Sequence, residues 1–173
     1  MAEHRPSTKK SYDTATLERL AIHYVARYAT TAAKLRAYLD RKVRVRDSDE
    51  TEEVDLDGIV AKIVEMGFVD DAAFAEMRAG ALARRGYGAR RVRAALDHAG
   101  VATEVAATAI NNGPITAIEA AHLFAKRKRI GPYSEQAPTP EMRRRAVSTM
   151  LRAGHDYADV RAILAQWYTD EGT

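Results

Sequence analysis

Residues 82–101 read Leu82-Ala83-Arg84-Arg85-Gly86-Tyr87-Gly88-Ala89-Arg90-Arg91-Val92-Arg93-Ala94-Ala95-Leu96-Asp97-His98-Ala99-Gly100-Val101. They spell the end of one helix, a glycine turn, a whole short helix and a second glycine stop. Val92, Ala95, Leu96 and Ala99 follow the i, i+3, i+4, i+7 rule of one apolar helix face, with Arg90, Arg93 and Asp97 on the other side. The phrase is repeated. A shift of 57 lays Leu35-Arg36-Ala37-Tyr38-Leu39-Asp40 on Val92 to Asp97 without a gap, and carries Leu17 to Phe74, Leu20 to Met77 and Val25 to Leu82. A shift of 43 lays Ala83 to Gly88 over Lys126 to Gly131, and after an 11-residue insertion a shift of 54 pairs Leu96 with Met150 and Gly100 with Gly154.

The repeat predicts an all-α fold of three tandem three-helix repeats forming an elongated, curved modular array, because each unit is too short to bury a large core alone. Residues 1–13 are expected to be a flexible tail. Repeat 1 then spans 14–69 with an acidic loop at about 47–54, repeat 2 spans 70–113, and repeat 3 spans 114–173 with a loop at about 130–139. In repeat 1, Leu17, Leu20, Ala21, Tyr24 and Tyr28 mark the inner face of a helix from about Thr14 to Ala29. Leu35, Leu39 and Val43 mark a second helix, and Leu56, Ile59, Val60 and Ile63 a third, stopped by Gly67. Asp70 and Asp71 are placed to cap the next helix, whose inner side carries Phe74, Met77, Ala81 and Leu82. Pro114 suits the first position of the helix running to Arg129, and Thr139-Pro140 that of the helix bearing Met142, Ala146 and Met150.

Composition bounds the chemistry. The 173 residues include no cysteine, which excludes disulfides, thiolate catalysis, thiolate zinc and Fe–S clusters and makes the cytoplasm the expected location. No stretch approaches 18 consecutive apolar residues. The five histidines never fall at i, i+3 or i, i+4 of one another, so none forms a metal motif, and each reads as a surface or partly buried side chain. Gly86-Tyr87-Gly88 lacks the Gly-Lys-Ser/Thr of a Walker loop, and Asp70-Asp71 sits where a helix start favours anions. No enzyme and no cofactor are expected.

The informative residues are the cations. Net charge is +3 overall, yet residues 1–46 balance to +7, 47–76 to −10, 77–98 to +5 and 99–173 to +1, a segregation that steers a polyanion or an oppositely charged surface. Arg84, Arg85, Arg90, Arg91 and Arg93 flank the Gly86 to Gly88 turn, with Tyr87 available for stacking. Lys126, Arg127, Lys128 and Arg129 repeat the cluster in the third unit, and Arg143, Arg144 and Arg145 add another. Arginine suits bidentate capture of carboxylate or phosphate, and composition does not choose between them.

Gly67-Phe68-Val69-Asp70-Asp71-Ala72-Ala73-Phe74-Ala75, then Arg84 to Val92, then Leu96-x-x-x-Gly100-Val101 resembles the central repeat of the RecX family of bacterial recombination regulators. The Leu20 to Leu39 region looks like the family's first unit, and Met150 to Gly154 with Tyr157 and Val160 like its third. His155 departs from the pattern, since the family commonly has an aromatic there; the acidic loop and the Ile130 to Thr139 loop lie outside it. The resemblance implies a non-enzymatic, monomeric regulator that binds the RecA filament on single-stranded DNA, with weak direct binding to single- or double-stranded DNA, and modulates, mostly inhibits, ATPase, strand-exchange and co-protease activities. The alternative is a helix-turn-helix-like protein that acts directly on DNA, whose mark is a steep salt dependence without any partner.

Overall fold

The computed structural model describes residues 12–45 and 54–167. Most of the expected tail, the acidic loop apart from Val54, and the chain from Tyr168 onward lie outside the described residues. Among the described residues there are nine α helices, one short 3-10 turn and no strand. Their bounds are α1 Thr14–Val25, α2 Ala32–Arg44, α3 Leu56–Glu65, α4 Asp71–Arg84, α5 Ala89–Asp97, α6 Thr103–Asn111, α7 Ala117–Lys128, α8 Pro140–Arg152 and α9 Tyr157–Ala165, with the 3-10 turn at Gly131–Tyr133. The helix starts keep the sequence spacing: α1 to α4 and α2 to α5 are 57 residues apart, and α6 to α9 are 54 apart. No helix among the described residues is long and apolar enough to cross a membrane.

The chain divides into two compact units, Met1–Asp71 and Ala72–Thr173. In the first, α1, α2 and α3 close over Leu17, Leu35, Leu39, Ile59 and Ile63, all nearly fully buried. Side-chain caps from Asp13, Thr31 and Asp55 start the three helices, each carboxylate or hydroxyl accepting one of the orphan N–H groups of the first turn. Asp71, expected to cap α4, instead accepts the N–H of Ala32 at 2.9 Å. The α1 helix stops at Val25 and not at Ala29, so Tyr28, expected inside, stands 56% exposed on the turn that follows.

The second unit holds α4 to α9 and two apolar clusters, one around Val92 and Leu96, the other around Met150, Val160 and Ile163, with Tyr87 packed against both. The inner face of α4 is rotated from the expected one. Ala75, Ala79 and Leu82 are buried whereas Met77 is exposed. Pro114 precedes α7 without belonging to it. Thr116 caps this helix, its hydroxyl accepting from Glu119 N–H while the Glu119 carboxylate accepts from Thr116 N–H.

The two clusters are joined where the turn before α5 meets the turn after α8. Gly88 N–H donates to Ala153 O at 3.0 Å, and Arg90 N–H donates to Gly154 O at 3.1 Å. A Cβ on Gly88 would lie 2.3 Å from the Gly154 carbonyl, and one on Gly154, whose φ is +93, would lie 2.4 Å from Arg91 N. Backbone meets backbone with no room for a side chain. His155 seals the joint: it is buried at 1% exposure, with Nε2 3.1 Å from Gly86 O and its ring against Phe124. This overturns the expectation that each histidine is a surface or partly buried side chain, since the residue after the Gly88–Gly154 crossing lies against Gly86 and Phe124.

Gly88→Ala is expected to lower the stability of this unit by at least ~2 kcal/mol, because the backbones must separate. Gly67→Ala, which meets open space and pays only for its φ of +75, should cost about 1 kcal/mol. Urea unfolding followed by Trp167 fluorescence for Gly88 and by far-UV circular dichroism for Gly67 checks the difference; equal losses would remove the close approach as the cause.

Candidate functional site

The crossing of Gly88 and Gly154 brings the first turn of α5 beside α8 and the start of α9, and an open groove of about 940 Å³ lies there. Two ridges of α8 line it. Arg144, Ser148 and Arg152 are spaced i, i+4, i+8, and Arg143, Val147 and Leu151 form the adjacent row with the same spacing. Arg90 and Tyr157 close the other side. The groove therefore carries four guanidinium groups over a partly apolar floor, against one carboxylate, Asp156.

The four arginines are not equivalent. Arg90 donates from a terminal nitrogen to His155 O at 2.7 Å, and its Nε lies 3.7 Å from Asp156 Oδ1, so it also ties the joint together. The carbonyl bond is the stronger of these, since an ion pair between two exposed side chains contributes only about 0–1 kcal/mol. Arg143 is half-buried along the groove wall. Arg144 and Arg152 are exposed, and neither is within ion-pair distance of a carboxylate among the described residues. Their long, weakly hydrated, always-charged forks border the same groove as Ser148 and are open to an anion. Tyr157 is 63% exposed at the rim and offers an open ring with a hydroxyl.

A second grouping surrounds Tyr87. The guanidinium carbon of Arg91 lies 4.7 Å from the Tyr87 ring centroid and that of Arg127 lies 5.4 Å away, with Arg127 also 5.3 Å from the Phe124 ring. Arg127 donates to the carbonyl of Arg85. Tyr87 is half-buried, with these two cations within cation–π range of its ring. The structure thus brings Arg90, Arg143 and Arg144 to one groove and Arg85, Tyr87, Arg91 and Arg127 to another cluster.

The remaining predicted residues line neither place. Arg145 pairs with Glu141 at 2.7 Å within α8. Arg129 ends α7 in the left-handed region, φ 53, and reaches Glu135 at 4.0 Å. Lys126 borders a separate shallow groove with Leu123 and Tyr133. Arg84 and Lys128 are exposed and Arg93 is half-buried. The sequence reading missed Arg152 and Tyr157. Arg152 is signalled by its i+8 spacing from Arg144, but nothing in the sequence brings Tyr157 across to α8.

Burial pushes the His155 pKa below its ordinary value, more than the bond to Gly86 O and the nearby Asp159 and Asp156 raise it, while Arg90 lowers it further. A group whose folded pKa is depressed takes up its proton less readily when folded. A neutral histidine thus leaves stability intact above the unfolded pKa of about 6.5, and stability is lost as pH falls below it. The urea midpoint reported by Trp167 should drop more steeply between about pH 6.5 and 5 in the native chain than in His155→Phe. Parallel slopes would count against a buried neutral imidazole.

Comparison with known proteins bears on the whole chain. A family model described as RecX, second three-helix domain, matches residues 70–110. The chain is 29% identical over 170 residues to a protein named Regulatory protein RecX from Myxococcus xanthus (strain DK1622), covering 94% of this chain and 91% of that one. The crystal structure of RecX from Lactobacillus salivarius superposes with a TM-score of 0.68 at 16% identity, covering 88% of this chain and 95% of that one. A second crystal structure, of regulatory protein RecX, gives 0.66 at 17% identity, covering 88% and 73%. These likenesses confirm the all-α fold.

Proposed function

We propose that the chain is a RecX-family protein and, on that premise, a non-enzymatic cytoplasmic regulator that binds the RecA filament on single-stranded DNA and lowers its ATPase, strand-exchange and co-protease activities. The observation that carries the reading is the α8 groove, where Arg144 and Arg152 hold no partner carboxylate among the described residues and face outward beside Arg90. Such a surface fits acidic patches on a protein polymer or the phosphates running inside it. Arginine forks capture either one bidentately, and charge complementarity speeds encounter with a large anionic target. A repeating target also lets separate contacts along one chain reinforce each other, so that individually weak pairs hold together through effective concentration.

Arg144 and Arg152 are the residues that test this. Arg90 is the poorer probe, because its guanidinium also holds His155 O and its reversal would disturb the joint. The double variant Arg144→Glu/Arg152→Glu should require at least roughly tenfold more protein to inhibit the single-stranded-DNA-dependent ATPase of RecA, with helicity unchanged, each lost charged contact being worth about 1.5–3 kcal/mol. Inhibition equal to the native chain would take the groove out of the contact.

A further inference from the structure

A separate groove of about 440 Å³ lies wholly within the first unit, where the last turns of α1 and the turn after it face α2. Three tyrosines build it. Tyr24 and Tyr38 stack with centroids 4.2 Å apart and planes 16° from parallel, and Tyr28 lies 5.2 Å from Tyr24 at 45°. Tyr24 and Tyr38 are packed against the core cluster, so the stack is rigid, whereas Tyr28 is more than half exposed. His23 and Arg27 line the same groove, and Lys42 Nζ sits 5.4 Å from the Tyr38 centroid. None of the lining residues is acidic. The nearby carboxylates are occupied: Glu18 pairs with Lys62 at 2.8 Å, and Asp40 with Arg36 and Arg44 at 3.2 and 2.8 Å.

We propose that this tyrosine groove is a stacking site for single-stranded nucleic acid, taking an unpaired base against Tyr28 and its phosphates on Arg27, His23 and Lys42. Folding gains little from Tyr28 where it stands, since the helix has already ended and the ring lies outside the core. An open aromatic face extending a preformed stack, edged by cations and without carboxylates, matches a ligand that carries flat rings and negative charge at regular intervals. Duplex DNA offers the charge but hides its rings, so the unpaired strand is the form that fits. The rigid Tyr24–Tyr38 pair means that little order must be created on binding.

The test uses the full chain and no recombinase, so its outcome is independent of the filament reading. A short oligothymidylate carrying 5-iododeoxyuridine, irradiated with the native chain, should cross-link at Tyr28. Fluorescence anisotropy should show Tyr28→Ala binding oligothymidylate roughly tenfold more weakly, and Tyr28→Phe close to native, which is the loss expected for one stacked base. An abasic oligomer of the same phosphate count should bind the native chain more weakly than oligothymidylate and be insensitive to Tyr28→Ala. The proposal is overturned by cross-links confined to Tyr157 and its neighbours, by native affinity in Tyr28→Ala, by equal binding of the abasic oligomer, or by no detectable binding. An acidic, aromatic peptide that occupies the groove where oligothymidylate does not would likewise replace it with a protein ligand.

Discussion

The second unit depends on one steric constraint, the back-to-back passage of Gly88 and Gly154. The two backbones approach closely enough to exchange hydrogen bonds at 3.0 and 3.1 Å, and any side chain at either glycine would occupy the space of the other strand. Interiors have no slack with which to absorb such an insertion. Everything nearby inherits its position from this crossing. It turns His155 inward onto Gly86 O, places Tyr87 between the two apolar clusters, and delivers Arg90 to the edge of α8. The arginine groove is thus a by-product of how the start of α5 is fastened to the turn after α8.

The spacing of the helix starts was legible in the sequence because helix punctuation depends on backbone conformation more than on side-chain chemistry. The alignment that sets Gly86 on Arg129 illustrates this, for the two residues share nothing chemically yet both take positive φ, 76 and 53, at the end of equivalent helices. The errors have an equally local origin. Periodicity continued α1 through Tyr28, but the apolar pattern does not report where backbone hydrogen bonding stops. In α4 alanines interleave with larger residues, so periodicity allowed two inner faces, and the buried one carries Ala75, Ala79 and Leu82. Pro114 was compatible with a helix start, but the reciprocal Thr116–Glu119 pair satisfies two orphan donors where proline only removes one.

The candidate site was legible as residue types and illegible as geometry. Clusters such as Arg143 to Arg145 are visible as letters, but consecutive residues on a helix point about 100° apart, so one triplet cannot serve a single surface. Arg145 accordingly turns to Glu141, while Arg144 combines with Arg152 two turns later. Tyr87, available for stacking in the sequence, is half-buried and packed against both apolar clusters beside the glycine crossing.

Sorting the cations by what they already hold separates structure from function. Arg90 and Arg127 donate to main-chain carbonyls, Arg91 and Arg127 lie near the Tyr87 ring, and Arg129 lies near Glu135. A guanidinium with such partners has little left to offer a ligand, because a new contact must first break an existing one. Arg144 and Arg152 carry no comparable debt among the described residues, and their ridge is held straight by a helix. Among the arginines of the α8 groove, Arg144 and Arg152 are therefore the ones open to an anion, although the densest run of basic letters in the chain lies at Lys126 to Arg129.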